Sequence, residues 1–173
     1  SDGNYGVSIM NDCKYGYSCI GSELSLTLLK CGTYPNTVAD QGKQTFTYSV
    51  LPHKGDFRTV TVPRSYVLNR PFDVLKLKKQ NGNMPESFSF VCADKANAVI
   101  ETVKQSEDGK GTILRVFDCY DVLETVNLSF GTDIRKAYIC DMLENEILEI
   151  PVSNNVIRLK LKNYEIVTIK VLE

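Results

Sequence analysis

Apolar and polar residues alternate along most of this 173-residue chain. An alternation with a period of two places successive side chains on opposite faces of a strand, so that one face packs inward and the other meets water. The pattern is typical of antiparallel sheets, and it predicts an all-β protein with about a dozen strands and no helix. The alternating segments are Tyr5–Met10, Leu24–Leu28, Phe46–Val50, Val99–Val103, Ile113–Phe117, Val122–Leu128, Ile157–Leu161 and Ile166–Val171.

Turn-forming residues separate these segments. Glycine and asparagine adopt positive φ angles at low cost and therefore favour tight turns. Turns are expected at Gly21–Ser22, Gln80–Asn83, Asp108–Gly111 and Ser153–Asn155. The segment Phe57–Leu75 has no clear period, and Pro63 and Pro71 interrupt any long regular element, so we expect an extended crossover there.

The stretch Lys79–Ser87 is polar, contains an Asn-Gly pair and a proline, and lacks periodicity. It predicts a seam between two domains, residues 1–83 and residues 84–173. The second domain has the length and the turn spacing of a small β-sandwich.

Composition and charge exclude several classes of function. The 20 Lys and Arg residues are balanced by 21 Asp and Glu residues, giving a net charge of −1. A nucleic-acid binder or a polybasic membrane patch needs a surplus of basic residues, so neither partner is expected. No apolar run reaches the roughly 18 residues of a membrane span, and Ser1–Gly6 does not resemble a signal peptide. Since the chain also lacks an initial Met, we expect a fragment of a longer protein.

The cysteine pattern favours a reducing compartment. The residues concerned are Cys13, Cys19, Cys31, Cys92, Cys119 and Cys140. None of them forms a Cys-x-x-Cys pair, and structural zinc sites usually use closely spaced ligands, so no metal site is expected. We expect these residues to be buried, unpaired and hydrophobic in character.

Two irregular stretches carry candidate polar chemistry. The first, Asn11–Tyr17, includes Asp12, Lys14 and Tyr15 between two strand-like segments. Its amide, carboxylate and phenol groups can bind sugar hydroxyls, because they supply both donors and acceptors. The alternative, which spacing alone favours, is a hairpin turn in which Asp12 bonds its own backbone.

The second stretch contains Asp40 and Gln41 and follows a long irregular segment that begins at Gly32. Loops beside rigid sheets often carry function, and both side chains could face a polar ligand. A solvated loop explains the same pattern equally simply.

The remaining polar candidates favour structural roles. His53 is the only histidine, so it cannot supply a histidine-rich metal site, and we expect a hydrogen-bonded residue at a strand end. The Gly-x-Gly of Glu107–Gly111 lacks the strand and helix that flank a phosphate-binding loop, which favours a hairpin tip. Asp118 and Asp121 are expected at surface positions.

Three long motifs in this chain resemble the C-terminal β region of α-mannosidases in glycoside hydrolase family 38. Tyr5–Tyr17 (YGVSIMNDCKYGY) is similar to the family's YGVAxLNDCKYGY stretch. Ala39–His53 is similar to ADxGxHxFTYxLxPH, and Val103–Arg115 is similar to VKxAEDGxGxILR. The motifs keep the family's order, and the tail fits a closing sandwich, so the resemblance covers nearly the whole chain.

The resemblance implies part of a large galactose-mutarotase-like β-supersandwich in residues 1–83 and a terminal β-sandwich in residues 84–173. It also implies a parent enzyme that removes terminal α-mannosides with retention of configuration, assisted by zinc or another divalent metal. The catalytic carboxylates and the metal site of the family lie in an N-terminal α/β barrel, which a helical bundle follows. This chain is therefore expected to hold no catalytic residue and no metal.

What the resemblance implies for this chain is a wall of the sugar pocket. In the family, loops of the C-terminal β region pack on the barrel and complete that pocket. The residues that the motifs place on this wall are Asn11, Asp12, Lys14, Tyr15, Asp40, Gln41 and His53. The motif variants are closer to the bacterial and cytosolic branch of the family, which implies a cytoplasmic location.

The expected partners are the parent's barrel and helical domains and an α-mannoside substrate. A free-standing carbohydrate-binding or adhesion sandwich remains the alternative, and the coding sequence upstream of Ser1 separates the two. A strand whose sheet neighbour is missing exposes an edge that can pair with another chain, so a homo-oligomer through such edges is expected.

Overall fold

The computed structural model describes residues 4–78 and 81–173. The contacts divide the chain into two compact units, residues 1–76 and residues 77–173. The predicted domain boundary after residue 83 stays a prediction. Residues 1–3 lie outside the described residues, as do Lys79 and Gln80 of the predicted seam and of the Gln80–Asn83 turn.

Residues 4–76 of the first unit contain two small antiparallel sheets and one helix. Its elements are β1 (Tyr5–Asn11), β2 (Gly16–Ile20), β3 (Glu23–Thr27), β4 (Tyr48–Lys54) and α1 (Phe57–Asn69). Strand β1 pairs with β4, and β2 forms a hairpin with β3 through the predicted turn at Gly21, whose φ is +60°. The expected turn between paired strands at Asn11–Tyr17 is therefore wrong, because this loop connects two different sheets.

Each face of the β1–β4 sheet has a different environment. On one face Ser8 and His53 lie near α1, where the Ser8 hydroxyl contacts Thr61. The opposite face carries four apolar side chains that are 52–57% exposed, namely Tyr5, Val7, Tyr48 and Val50. Among the described residues of this unit, Met10 and His53 are the only non-glycine residues that are buried. The first unit thus has almost no hydrophobic core of its own.

Helix α1 contradicts the expected extended crossover over Phe57–Asn69. Asp56 caps its N-terminus, since its carboxylate accepts a hydrogen bond of 2.8 Å from the backbone N–H of Arg58. Pro63 lies inside the helix. Proline removes one hydrogen bond there, but its fixed φ of about −65° is compatible with helical backbone.

The second unit is a β-sandwich. Its strands are β5 (Val91–Ala93), β6 (Ala98–Gln105), β7 (Thr112–Asp118), β8 (Glu124–Phe130), β9 (Lys136–Cys140), β10 (Glu146–Ile150), β11 (Val152–Ser153), β12 (Val156–Leu161) and β13 (Ile166–Leu172). One antiparallel sheet has the order β10-β9-β13-β7-β6, and the other has the order β11-β12-β8-β5. The all-β, antiparallel prediction is confirmed, apart from α1.

The core of the sandwich lies between these two sheets. Strands β7 and β13 contribute alternate side chains such as Leu114 and Ile169, while β8 and β12 contribute Leu128 and Leu159 from the other side. This arrangement is what period-two patterning produces when two sheets pack face to face. The predicted turns at Asp108–Gly111 and Ser153–Asn155 connect β6 to β7 and β11 to β12.

The cysteines differ from the prediction. Cys13, Cys19, Cys31 and Cys92 are exposed, Cys119 is half-buried, and Cys140 is the one buried thiol. All six are free, so the expectation of unpaired thiols is confirmed and that of burial is wrong for most of them. None of the helices in the described part of the chain is long and apolar enough to cross a bilayer.

Candidate functional site

The Asn11–Tyr17 loop is organised by Asn11 at the end of β1. The side-chain oxygen of Asn11 accepts hydrogen bonds from the backbone N–H groups of Cys13, at 3.0 Å, and of Lys14. Its side-chain nitrogen donates to the Tyr17 hydroxyl, and its backbone carbonyl accepts from the side-chain amide of Asn69 at 3.2 Å. Asn11 therefore fixes the loop through its own amide, in the manner of an Asx-turn.

Asp12 connects this loop to the segment that precedes β4. Its carboxylate accepts a 2.9 Å hydrogen bond from the backbone N–H of Thr47, and its own N–H donates to the Thr47 carbonyl. The pKa of the Asp12 carboxyl is lowered, first by the Thr47 N–H and then by Cys13. The expected interaction of Asp12 with its own backbone is present, but it contributes least to the lowered pKa, and Asn11 closes the turn. Asp12 keeps a negative charge at the loop.

Lys14 and Tyr15 differ in how they are held. The ammonium of Lys14 lies 4.8 Å from the centre of the Phe46 ring, a cation–π contact that orients the side chain. Tyr15 is 93% exposed, so its ring is free to contact another molecule. The loop thus presents an ionised carboxylate, an oriented cation and an exposed phenol, which together can donate to and accept from sugar hydroxyls.

Asp40 and Gln41 belong to a second loop. Asp40 has a φ of +59°, and its carboxylate accepts a 3.2 Å hydrogen bond from the backbone N–H of Cys31. Gln41 is exposed, and its backbone N–H donates to Val38. Within the described residues, no hydrogen bond joins this loop to the Asn11–Tyr17 loop.

His53 lies apart from Asn11 along the β1–β4 sheet. It pairs with Gly6 in the β1–β4 ladder, whereas Asn11 pairs with Tyr48 at the opposite end, about 16 Å away along the strands. His53 is 7% exposed, and its Nε2 is 3.1 Å from the Ser8 hydroxyl. These contacts match a structural histidine within a strand. Its place on the pocket wall stays a prediction, as do those of the six other wall residues.

Glu107–Gly111 forms a hairpin tip between β6 and β7, as the sequence predicts. The Ser106 hydroxyl and the Lys110 N–H donate to Asp108, which closes the turn between β6 and β7. The buried Lys170 of β13 binds the Asp108 carboxylate at 2.8 Å and the Glu146 carboxylate at 3.0 Å. The pKa of Asp108 is well below its usual value, mainly because of the hydrogen bond from Lys170 and secondly because of that from Ser106.

Asp118 is buried, and the expectation of a surface position is wrong. It is 1% exposed and accepts hydrogen bonds from the Asn97 amide and from the backbone N–H groups of Tyr120, Val122 and Tyr164. Burial acts to raise the pKa of Asp118, but these donors outweigh it and the pKa is lowered. Asp118 thus anchors loops rather than forming a catalytic pair.

Two family profiles match this chain in the order that the motifs suggest. Residues 1–38 match the profile described as the glycosyl hydrolases family 38 C-terminal domain. Residues 97–169 match that of the glycosyl hydrolases family 38 C-terminal beta sandwich domain. The chain belongs to the C-terminal region of glycosyl hydrolase family 38. The second match falls on the sandwich described above and confirms that assignment.

Curated relatives of this family 38 chain support the same assignment. Alpha-mannosidase 2C1 of Homo sapiens is 34% identical over 83% of this chain and 14% of its own length. Alpha-mannosidase G of Dictyostelium discoideum is 30% identical over 75% of this chain and 12% of its own length. A putative mannosylglycerate hydrolase of Halalkalibacterium halodurans is 24% identical over 98% of this chain and 20% of its own length. The chain therefore spans between an eighth and a fifth of these relatives.

Proposed function

We propose that this chain is the non-catalytic C-terminal β region of an α-mannosidase, in which it forms part of the wall of the sugar pocket. The observation that carries the proposal is the pair of family 38 C-terminal profiles, which match in order on a chain that covers only 12–14% of relatives named alpha-mannosidase. The parent would hydrolyse terminal α-mannosides with retention of configuration. Retention needs a nucleophilic carboxylate and an acid/base carboxylate about 5 Å apart, which the barrel of the parent would supply.

The metal of the proposed mechanism belongs to the parent's barrel. Among residues 4–78 and 81–173, no group of three His, Cys, Asp or Glu side chains is placed to hold a metal ion, and the whole chain has one histidine. These residues do not fit the zinc site of the proposal, so we derive no step through zinc here.

The Asn11–Tyr17 and Asp40–Gly42 loops are the part of the chain that we place against the substrate. Asp12, Lys14 and Tyr15 provide acceptor, cation and phenol, and the Asn11 and Thr47 hydrogen bonds hold the loop in shape without a ligand. Preorganised polar groups of this kind orient a sugar at little entropic cost. A cytoplasmic location completes the proposal, since six free thiols suit a reducing compartment.

The proposed wall is tested in the protein encoded by the full reading frame that contains this chain. Asp40→Asn preserves an acceptor for Cys31 and tolerates the positive φ, but it removes the charge. It should raise KM for an aryl α-mannoside several-fold with an unchanged melting temperature. Asp73→Asn, at an exposed loop position, is the matched control and should leave KM unchanged.

The same protein also tests the reaction class. NMR of the first product should show the α-anomer of mannose, and mannosylglycerate serves as a second substrate because one relative is named for it. Release of the β-anomer as the first product would contradict retention.

An unchanged KM in Asp40→Asn would contradict the proposal that the Asp40 loop contacts the substrate. A reading frame that begins close to Ser1 would favour the free-standing carbohydrate-binding alternative.

A further inference from the structure

The motif Val103–Arg115 has one residue without a structural explanation. Asp108 closes the hairpin around Lys170, while a Cβ on Gly111 would lie 2.4 Å from the Val171 carbonyl oxygen. Ile113 and Leu114 are completely buried. Arg115 is half-buried and interacts electrostatically with the Glu144 carboxylate, but its buried Nε has no hydrogen-bond partner among the described residues. A buried donor without a hydrogen bond is costly, so a ligand atom that accepts from Nε would be favoured here.

Arg115 lines a cavity on the outer side of the five-stranded sheet. Its volume is about 360 Å³, toward the lower end of the roughly 300–1,000 Å³ of small-molecule sites. Strands β7, β9 and β13 supply Arg115, Cys140 and Thr168, and the loop after β9 supplies Asp141. Apolar surface predominates, and the exposed side chains of Met142 and Ile166 contribute to it.

The charges of this cavity disfavour simple ions. Arg115 lines the cavity together with two carboxylates, Asp141 and Glu165, so an anion meets a net negative lining and a cation meets the guanidinium. Both carboxylates are held in place by their own turns. Asp141 accepts from the backbone N–H of Asn145 at 2.9 Å, and Glu165 accepts from that of Lys162 at 2.8 Å. They therefore stay as fixed acceptors in the same lining as the guanidinium of Arg115.

Hydroxyl groups satisfy both sides of such a lining, because each can accept from a guanidinium and donate to a carboxylate. The apolar walls suit the C–H face of a sugar ring. We propose that the Arg115 cavity of the terminal sandwich binds a neutral monosaccharide. This inference does not rest on the proposed function, since it concerns other residues and needs no turnover.

The test is a titration of the 173-residue chain with methyl α-mannoside and methyl α-glucoside, followed by the Nε–Hε NMR resonance of Arg115 and, in every variant, by the backbone amide resonances of Asp141 and Thr168 in the cavity lining. We expect a saturable shift with at least one of the two sugars at concentrations up to tens of millimolar. Arg115→Met should weaken binding at least tenfold. Arg115→Lys should retain part of it, because an ammonium donates hydrogen bonds but lacks the guanidinium fork.

The matched control is Arg158→Met, the same substitution at an exposed position of β12 in the other sheet, and it should bind within about twofold of the unchanged chain. Acetate provides the anion probe. A shift with acetate and not with sugar, sugar binding that persists in Arg115→Met, or no shift with any probe would each overturn the proposal. If Arg115→Met fails to fold, the wild-type titration decides by itself. None of these results bears on the mannosidase activity of the parent.

Discussion

Asp118 joins three loops of the sandwich through one buried carboxylate. Its oxygens accept from Asn97 before β6, from Tyr120 and Val122 after β7, and from Tyr164 before β13. Because every one of these donors would otherwise be unsatisfied, the carboxylate stabilises the ends of three strands at once.

Replacing Asp118 by Asn should lower the free energy of unfolding by about 3 kcal/mol. The new amide group keeps one acceptor oxygen but turns its N–H₂ toward backbone donors. Urea unfolding followed by circular dichroism measures the effect. Asp121→Asn is the control, because Asp121 is exposed and has a positive φ that Asn adopts readily, so its cost should be below about 1 kcal/mol. An equal loss of unfolding free energy in the two variants would contradict the anchoring role of Asp118.

The lowered pKa of Asp118 also predicts how this difference depends on pH. Folding holds the pKa of this carboxyl below its ordinary value of 3.8, so its contribution is complete above the unfolded pKa and is lost as the pH falls through the folded pKa. The gap in unfolding free energy between the unchanged chain and Asp118→Asn should therefore be constant at neutral pH and shrink below about pH 4. A gap that does not change in acid would contradict the assignment.

The sequence predicts which residues of the candidate site are polar, but it does not predict their hydrogen-bond partners. The sequence predicts a turn closed by Asp12, whereas Asn11 closes it in the structure, and the main donor to the Asp12 carboxylate comes from Thr47, 35 residues away. Asp118 was misplaced for a related reason, since three of its four donors are backbone groups. Local patterning identifies a polar residue but does not show which distant N–H will reach it.

Most strands followed from local pattern, and the one helix did not. Alternation located β1, β6, β7, β8, β12 and β13 within a few residues. Helix α1 was missed because Pro63 and a run of β-branched residues suggest extended backbone. Two signals are present in the sequence, namely Asp56 as a cap and a helical spacing of Thr61, Ser65 and Leu68, which are three of the five partly buried positions of α1.

At the level of elements, Gly111 controls how closely β7 approaches β13. Gly111→Ala should destabilise the chain by about 1–3 kcal/mol, because its Cβ would meet the backbone carbonyl of Val171 at 2.4 Å. The melting temperature of the purified variant measures this. Gly82→Ala is the control, since a Cβ there meets nothing within 4 Å. A Gly111→Ala variant as stable as the unchanged chain would show that the strands can separate at no cost.

On the scale of the whole molecule, the two units differ in how much of their apolar surface they bury. The sandwich buries a core between two sheets, and period-two patterning was sufficient to predict it. In the first unit the same alternation gives an apolar face that remains exposed at Tyr5, Val7, Tyr48 and Val50. Alternation in the sequence predicts which face of a strand is apolar, but it does not predict whether another element packs against that face.

The exposed face and the free edges of the β1–β4 sheet predict self-association of the 173-residue chain. Sedimentation velocity should show oligomers that grow with concentration, and Val7→Lys should shift them toward monomer, because a charge on the sheet disfavours pairing. Val38→Lys, at an exposed loop valine, is the control and should have no such effect. A single monomeric species at high concentration would contradict this prediction.

The central claim is that the chain supports a family 38 active site whose reactive groups lie elsewhere in the parent. The most direct measurement compares α-mannoside turnover by the purified 173-residue chain with turnover by the product of its full reading frame. We predict activity in the longer protein and none in the chain. Turnover by the chain itself, or a full-length product that cleaves no mannoside, would contradict the account.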